Sequence, residues 1–153
     1  MVYGKEKLAY LEPETRVRAM AAVVDLESLP YDITITETLR PALVQLAYFA
    51  QSRLPVYETN RLRLAAGLAD TKDTGRITNL DGIITKSEHQ KGRALDVVPM
   101  SAGKLDWKAP ASTWIRLGEI AKKYGFEWGG DWKSNPAAAL GWDCPHWQYV
   151  QKI

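Results

Sequence analysis

The chain of 153 residues has little of several residue types on which many kinds of site depend. It has a single cysteine, Cys144, and only two histidines, His89 and His146. One cysteine excludes an intramolecular disulfide, and it also excludes cysteine-rich zinc fingers and iron–sulfur sites. Any site that is built on imidazole must therefore use one or both of the two histidines.

Excess charge and long apolar runs are also scarce. The balance of 20 Lys+Arg against 18 Asp+Glu gives a net charge of +2, which is too small to indicate a nucleic-acid-binding protein. No stretch approaches the roughly 18 apolar residues of a membrane-spanning helix. The first residues lack the apolar core of a secretory signal. We expect one domain over residues 1–153, monomeric, made in the cytoplasm without a signal peptide, and bound to neither nucleic acid nor membrane.

Hydrophobic periodicity predicts a mixture of helices and short strands. The spacing of apolar residues in 13–26 predicts a helix whose buried face holds Val17, Met20, Ala21 and Val24. Because the elements show no regular βαβ repeat, we expect an α+β fold. The other predicted elements are helices over 41–53 and 110–124, strands over 32–38, 94–99 (ended by Pro99) and from 146 to the end, and an exposed loop over 67–86.

Two short segments hold the residues that are most suited to chemistry. In the first, His89 and Asp96 lie seven residues apart, and Gly92 allows the chain to turn between them. The second contains Asp143 and His146 at the start of the last predicted strand. If the two strands pair, His89, Asp96 and His146 can converge, leaving one coordination position open as catalytic zinc requires. The same donor set also suits the iron of non-haem Fe(II) oxygenases.

Asp143 lies three residues before His146 and could stand beside a metal without binding it. There it could accept a proton from the attacking water and pass it to the leaving amine. Each residue also has a plain structural interpretation: Asp143 as a turn residue before Pro145, Asp96 as a hydrogen-bonded carboxylate, and the histidines as structural side chains. Cys144 is expected to be a partly buried bystander.

All six tryptophans lie in the segment from Trp107 to Trp147. This cluster indicates packing of the C-terminal half, with a platform for carbohydrate or peptide as the alternative.

Four segments of the chain resemble the M15 zinc peptidases. The first, S-E-H-Q-K-G-R-A-L-D-V-V-P at 87–99, matches the family pattern S-x-H-x-x-G-x-A-x-D. The segments Y-G-F-E-W-G-G-D-W-K-S and W-D-C-P-H-W-Q are similar to the family's G-F-x-W-G-G-D-W run and the D-x-P-H-F/W that follows it. I-T-E-T-L-R-P-A-L-V-Q-L-A-Y-F-A-Q-S-R resembles the family's upstream T-S-G-Y-R-S segment. Together these segments extend the resemblance over about residues 33–150.

The resemblance implies a small antiparallel sheet flanked by helices, as in the Hedgehog-like zinc peptidase fold. It implies that His89, Asp96 and His146 bind one zinc ion per chain and that Asp143 is the catalytic acid/base. Among the family's activities are D-alanyl-D-alanine carboxypeptidases and dipeptidases and the phage and bacterial L-alanyl-D-glutamate endopeptidases.

The resemblance also implies a substrate-facing role for Arg40, which would steady developing negative charge, and for Ser87, which would bind substrate or brace the ligand loop. A surface salt bridge is the alternative for Arg40. Gln45 matches a family glutamine that we interpret as structural support. The chain departs from the family at Thr38, Leu39 and Pro41 and in a longer segment over residues 54–73, all of which border the expected substrate groove.

The expected function is a zinc metallopeptidase acting on peptidoglycan stem peptides, in particular an L-alanyl-D-glutamate endopeptidase. The compact chain is typical of a phage-type endolysin that reaches the wall through a holin or after lysis. A D-alanyl-D-alanine carboxypeptidase and a non-catalytic zinc-binding module on the same fold are the alternatives.

Overall fold

Helices and short strands follow one another along the chain without a βαβ repeat, as the sequence predicts. The computed structural model describes residues 1–151. Its chain divides into two units: residues 1–39 with 92–151, which we name the strand unit, and residues 40–91, the helical unit. The strand unit contains β1 (Val2–Tyr3), α1 (Pro13–Glu27), β2 (Ile33–Glu37), β3 (Ala94–Ser101), β4 (Lys104–Leu105), α4 (Ala111–Lys123), β5 (Glu127–Trp128) and β6 (His146–Gln148), and the helical unit contains α2 (Ala42–Ala50) and α3 (Val56–Ala65).

The strands of the strand unit form one sheet in the order β1-β2-β3-β6-β5, with β4 paired to the end of β3. β1 and β2 are parallel, and the other pairs are antiparallel. The predicted pairing of the strand after His89 with the last strand is confirmed, because Asp96 of β3 lies opposite His146 of β6. The α+β class is confirmed as well.

One face of the sheet packs into the hydrophobic core. Leu95 lies opposite Trp147, and Val97 lies opposite Ile35 on the other side of β3. All four side chains are at most 1% exposed. Buried residues of α1 and α4 complete this core. Since side chains alternate along a strand, Asp96 and His146 point to the opposite face from Leu95 and Trp147.

The predicted helix α1 is confirmed, but its predicted buried face is wrong. Val17, Met20 and Val24 are 67%, 59% and 69% exposed. The buried face is instead a second series at the same helical spacing, and its small side chains allow the helix axis to approach the core closely. That series is Thr15, Ala19, Ala22 and Leu26.

Strand β3 continues past Pro99, contrary to the prediction that Pro99 ends it. Pro99 lies where β3 turns into the hairpin with β4, and its carbonyl accepts a hydrogen bond from Asp106 N at 2.8 Å. Proline has no amide hydrogen, so Pro99 cannot donate a bond in return. Loss of one bond at the end of a short hairpin is tolerated, so the strand extends to Ser101.

The helical unit differs from the prediction at both of its helices. α2 ends at Ala50 rather than at residue 53, because Gln51 adopts an extended conformation. α3 was not predicted, and it occupies much of the longer segment over residues 54–73. Residues 67–86 contain no helix or strand, which confirms the predicted loop. No helix within residues 1–151 is both long enough and apolar enough to cross a membrane.

Helix α4 agrees with its predicted bounds, and Gly118 on it has a packing role that a substitution can test. A Cβ at Gly118 would lie 2.3 Å from the buried ring of Trp128. Gly118→Ala favours the isolated helix by about 1 kcal/mol. Because the ring must move, we still expect the free energy of unfolding to fall by about 1–3 kcal/mol in urea denaturation. Ser112→Ala, at an exposed position of α4, is the control and should change it by less than about 0.5 kcal/mol.

Candidate active site

Asp96 and His146 form a close cross-strand pair in the strand unit. Nδ1 of His146 lies 3.4 Å from Oδ1 of Asp96, and the two side chains are 10% and 19% exposed. Two ligand atoms at 2.0–2.1 Å from a tetrahedral zinc ion are separated by about 3.3 Å. The spacing of this pair therefore fits two ligands of one zinc ion.

The electrostatic surroundings of His146 favour a positive charge beside its ring. Burial lowers the pKa of His146, but the hydrogen bond with Asp96 and the charges of Asp96 and Asp143 raise it, and the net direction is upward. Carboxylates that attract a proton at this position also attract a metal cation, which competes with the proton for the same nitrogen lone pair.

The other ring nitrogen of His146 has a defined partner that the sequence reasoning missed. Nε2 of His146 lies 3.1 Å from Oε1 of Gln148. The amide nitrogen of Gln148 donates to Oε2 of Glu127 at 3.0 Å. The position of Gln148 two residues after His146, on the same face of β6, was the available signal. The ring of Trp132 also packs on the imidazole, with 5.2 Å between ring centroids.

The chain around Asp143 is held by backbone contacts within the strand unit. The backbone carbonyl of Asp143 accepts a hydrogen bond from His146 N at 3.1 Å, which closes a tight turn. The indole nitrogen of Trp128 donates to the carbonyl of Cys144 at 2.7 Å. Gly129 approaches so closely that a Cβ there would lie 2.1 Å from the Asp143 carbonyl oxygen. These contacts fix the half-buried Asp143 near His146.

Cys144 is half-buried, as expected of a bystander. Its Sγ lies 3.5 Å from the carbonyl oxygen of Gly141. Burial, followed by the charge of Asp143, raises the pKa of the thiol. A thiol that resists ionisation is a poor metal ligand, because the thiolate is the form that binds metal.

The helical unit holds the other predicted site residues in a polar network centred on Gln45. Ser87 Oγ donates to Oε1 of Gln45 at 3.1 Å, and Arg40 Nη1 donates to the same oxygen at 2.9 Å. The Gln45 side chain is fully buried, and its amide donates to the carbonyl of Leu80 at 2.6 Å. His89 is 3% exposed, and its carbonyl accepts from Arg40 N at 3.1 Å. Gln45 thus has a supporting position beside both Arg40 and Ser87.

Three of the six tryptophans serve in packing, as the sequence indicates. Trp114, Trp128 and Trp147 are at most 4% exposed and belong to the core. Trp142 is 65% exposed, and its ring lies 5.2 Å from that of the half-buried Trp132.

Sequence comparison supports the resemblance carried by the motifs. The profile of the family described as D-alanyl-D-alanine carboxypeptidase matches residues 82–149. The chain is 29% identical over 131 residues to the peptidoglycan L-alanyl-D-glutamate endopeptidase CwlK of Bacillus subtilis (strain 168), covering 80% of this chain and 67% of CwlK. It is 28% identical over 137 residues to the L-alanyl-D-glutamate peptidase of Escherichia phage T5, covering 86% of this chain and 80% of that protein.

Solved structures share the fold at low sequence identity. The Serratia marcescens L-Ala D-Glu endopeptidase ChiX matches with a TM-score of 0.57 and 20% identity, covering 98% of this chain and 90% of that one. The vancomycin resistance D,D-pentapeptidase VanY, solved as its E175A mutant with Zn(II), matches with a TM-score of 0.55 and 14% identity, covering 92% and 73%. These matches confirm the predicted fold.

Proposed function

We propose that the chain is an M15 zinc peptidase and, more specifically, a zinc-dependent L-alanyl-D-glutamate endopeptidase of peptidoglycan stem peptides. The observation that carries the proposal is the pairing of Asp96 with His146 at the spacing of two zinc ligands, with Asp143 next to them. The names of the two sequence relatives support the choice of bond.

In this proposal His89, Asp96 and His146 bind one zinc ion per chain. The set offers two imidazole nitrogens and one carboxylate oxygen, a combination that leaves a fourth position for water or substrate. His89 and His146 are buried and Asp96 is half-buried, so each can hold its ligand atom in a defined direction. Two histidines and one carboxylate also match the ligand set of known zinc peptidases.

Zinc supplies Lewis acidity, which polarises the scissile carbonyl and lowers the pKa of the attacking water. The residues of the chain provide the other components of the reaction. Asp143 would accept a proton from the attacking water as the water oxygen bonds to the carbonyl carbon, and would then give that proton to the amine nitrogen as the C–N bond breaks and the carbonyl re-forms. Because the turn to His146 fixes Asp143, little reorganisation is needed during proton transfer.

Arg40 and Ser87 are proposed to bind the stem peptide. The guanidinium of Arg40 offers several donors to a carboxylate or to the charge that develops on the scissile carbonyl. Its hydrogen bond to the buried Gln45 and its position 5.1 Å above the ring of Tyr48 restrict its orientation. A donor that is already oriented loses less entropy when substrate binds.

We further propose that residues 1–153 act as one catalytic domain and as a monomer. The enzyme would bind neither nucleic acid nor membrane, and it would reach the wall in the manner of a phage endolysin, after holin action or lysis. The activity named for the phage T5 relative supports this placement.

Mass spectrometry of digested peptidoglycan tests the proposed bond. We expect peptide fragments with a new N-terminal D-glutamate. The remnant on the glycan should end in an L-alanine whose carboxyl group is free. Release of terminal D-alanine alone would contradict the endopeptidase and establish the carboxypeptidase activity described for the matching family profile. Absence of any hydrolysis by zinc-loaded protein would contradict both and favour the non-catalytic module.

A further inference from the structure

The exposed ring of Trp142 is not explained by packing of the hydrophobic core. Its side chain is 65% exposed. The ring packs beside that of the half-buried Trp132, with 5.2 Å between the ring centroids and an angle of 42° between the ring planes. Tryptophan gains much from burial, and it is enriched at binding surfaces for that reason. A pair of indole rings that remains open to water is therefore suited to contact an apolar surface of a ligand.

The backbone at Trp142 is held against the turn that follows β5. The amide of Trp142 donates to the carbonyl of Trp132 at 3.2 Å, and the amide of Gly141 donates to the carbonyl of Gly130 at 2.6 Å. A Cβ at Gly141 would lie 2.6 Å from the carbonyl oxygen of Gly129, so the two segments approach too closely for a side chain there. Because a fixed backbone presents the ring, a ligand that stacks on it loses less entropy on binding.

The two tryptophans are continuous with the proposed active site. The ring of Trp132 packs on the imidazole of His146 as well as on Trp142, with 5.2 Å between centroids in each pair. Asp143, the proposed acid/base, directly follows Trp142 in the chain. A ligand group on the exposed ring therefore lies at the edge of the site, two ring contacts from a proposed zinc ligand.

The substrate of the proposed reaction has one extended apolar surface near the scissile bond. L-Alanine offers a methyl group, and D-glutamate carries a charge. A lactyl group joins the L-alanine to muramic acid, whose sugar ring exposes C–H groups on its faces. One residue spans at most about 3.6 Å, so the sugar begins roughly 7 Å from the scissile carbonyl. An indole ring can cover the C–H face while the hydroxyl groups at the edge of the sugar stay in water.

We propose that Trp142, supported by Trp132, is a sugar-binding platform that stacks on the muramic acid of a glycan-linked stem peptide. The platform makes the enzyme prefer stems that are still joined to glycan over free stem peptides. This inference rests on the proposed function, because cleavage after L-alanine is what brings the sugar close to the site. Trp142 is then a specificity-determining residue that contacts the substrate away from the reacting bond.

Kinetics on two matched substrates test the preference. One is a muramoyl pentapeptide, and the other is the same pentapeptide with an N-acetyl group in place of the sugar. We expect kcat/KM of the wild type to favour the muramoyl substrate about 5–30-fold, the size of one aromatic contact. Trp142→Ala should bring this ratio close to one, and Trp142→Tyr should retain most of it. Because the ratio compares two substrates on one protein, a general loss of active enzyme does not change it.

Trp107→Ala is the matched control, because it removes a ring that is 57% exposed in the segment after β4. It should keep the wild-type ratio. An unchanged ratio in Trp142→Ala, or no preference in the wild type, would overturn the proposal. Equal losses on both substrates in Trp142→Ala would also overturn it, since the ring would then contact the peptide.

A binding measurement on the zinc-loaded wild type is independent of turnover. The probe is N-acetylmuramoyl-L-alanine, which has no L-alanyl-D-glutamate bond left to cleave, and N-acetyl-L-alanine is the probe without sugar. In 15N–1H NMR spectra the indole signal of Trp142 is identified by its absence from Trp142→Tyr. We expect only the muramoyl probe to shift this signal, with the Trp107 signal unchanged.

No shift of the Trp142 signal, or equal shifts with both probes, would contradict the sugar platform. If the wild type hydrolysed neither pentapeptide, the proposed function would fail. The titration would still decide whether Trp142 binds the sugar, so the two failures are distinguishable.

Discussion

Replacing Asp143 with alanine is expected to lower kcat on peptidoglycan about 10²–10⁴-fold while zinc content stays at about one ion per chain. The variant loses the group that we propose to carry the proton from water to the leaving amine. It keeps His89, Asp96 and His146, which are the proposed ligands. Kinetics on purified stem peptide, together with elemental analysis of the same sample, separate loss of chemistry from loss of metal.

Asp25→Ala is the matched control, because it removes the same side chain from the strand unit at an exposed salt bridge to Lys123. Its kcat should stay within about twofold of the wild type, since surface substitutions away from a site have small effects. Near-wild-type turnover by Asp143→Ala would show that the proton is carried by another group. Loss of zinc in that variant would instead show that Asp143 binds the metal.

The second large effect is expected on removal of the metal. Dialysis against a chelator should lower hydrolysis about 10³-fold or more, because the Lewis acid contributes several kcal/mol of transition-state stabilisation. One equivalent of zinc should restore activity. His146→Ala and His89→Ala should each remove bound zinc, since the chain has no third histidine that could replace either of them.

Elemental analysis before and after dialysis provides the control for metal removal. Full activity in a sample shown to contain no zinc would contradict the metallopeptidase mechanism. Iron in place of zinc would favour the oxygenase interpretation of the same donor set. Retention of zinc by His89→Ala would exclude His89 from the ligand set without affecting the Asp96–His146 pair.

The sequence predicted element types well and buried faces less well. Helix α1 carries two series of residues at helical spacing, and one of them is more apolar. Burial nevertheless falls on Ala19 and Ala22, because close approach to the core depends on the size of the side chains as well as on their polarity. Helix α3 was not predicted because its sequence has no strong apolar periodicity. The available signal was Pro55, which directly precedes its first residue.

The candidate site was predictable where its residues lie in short motifs. Asp96, Asp143 and His146 were identified from two such segments, and the register of β3 and β6 places Asp96 beside His146. Glu127 and Gln148 were missed because their contact arises from the pairing of β5 with β6. Spacing along one chain does not reveal which residues face each other across strands.

One face of β3 and β6 packs in the hydrophobic core, and the other face carries two of the proposed zinc ligands. Leu95 and Trp147 face each other in the core, and they fix the same register that sets Asp96 opposite His146 on the other face. A slip of one residue would place a carboxylate and an imidazole in the hydrophobic core and move the core side chains to the face that carries Asp96 and His146. The hydrophobic core therefore sets the alignment of two proposed zinc ligands, and we expect a sequence that packs this core less uniquely to bind zinc less tightly as well.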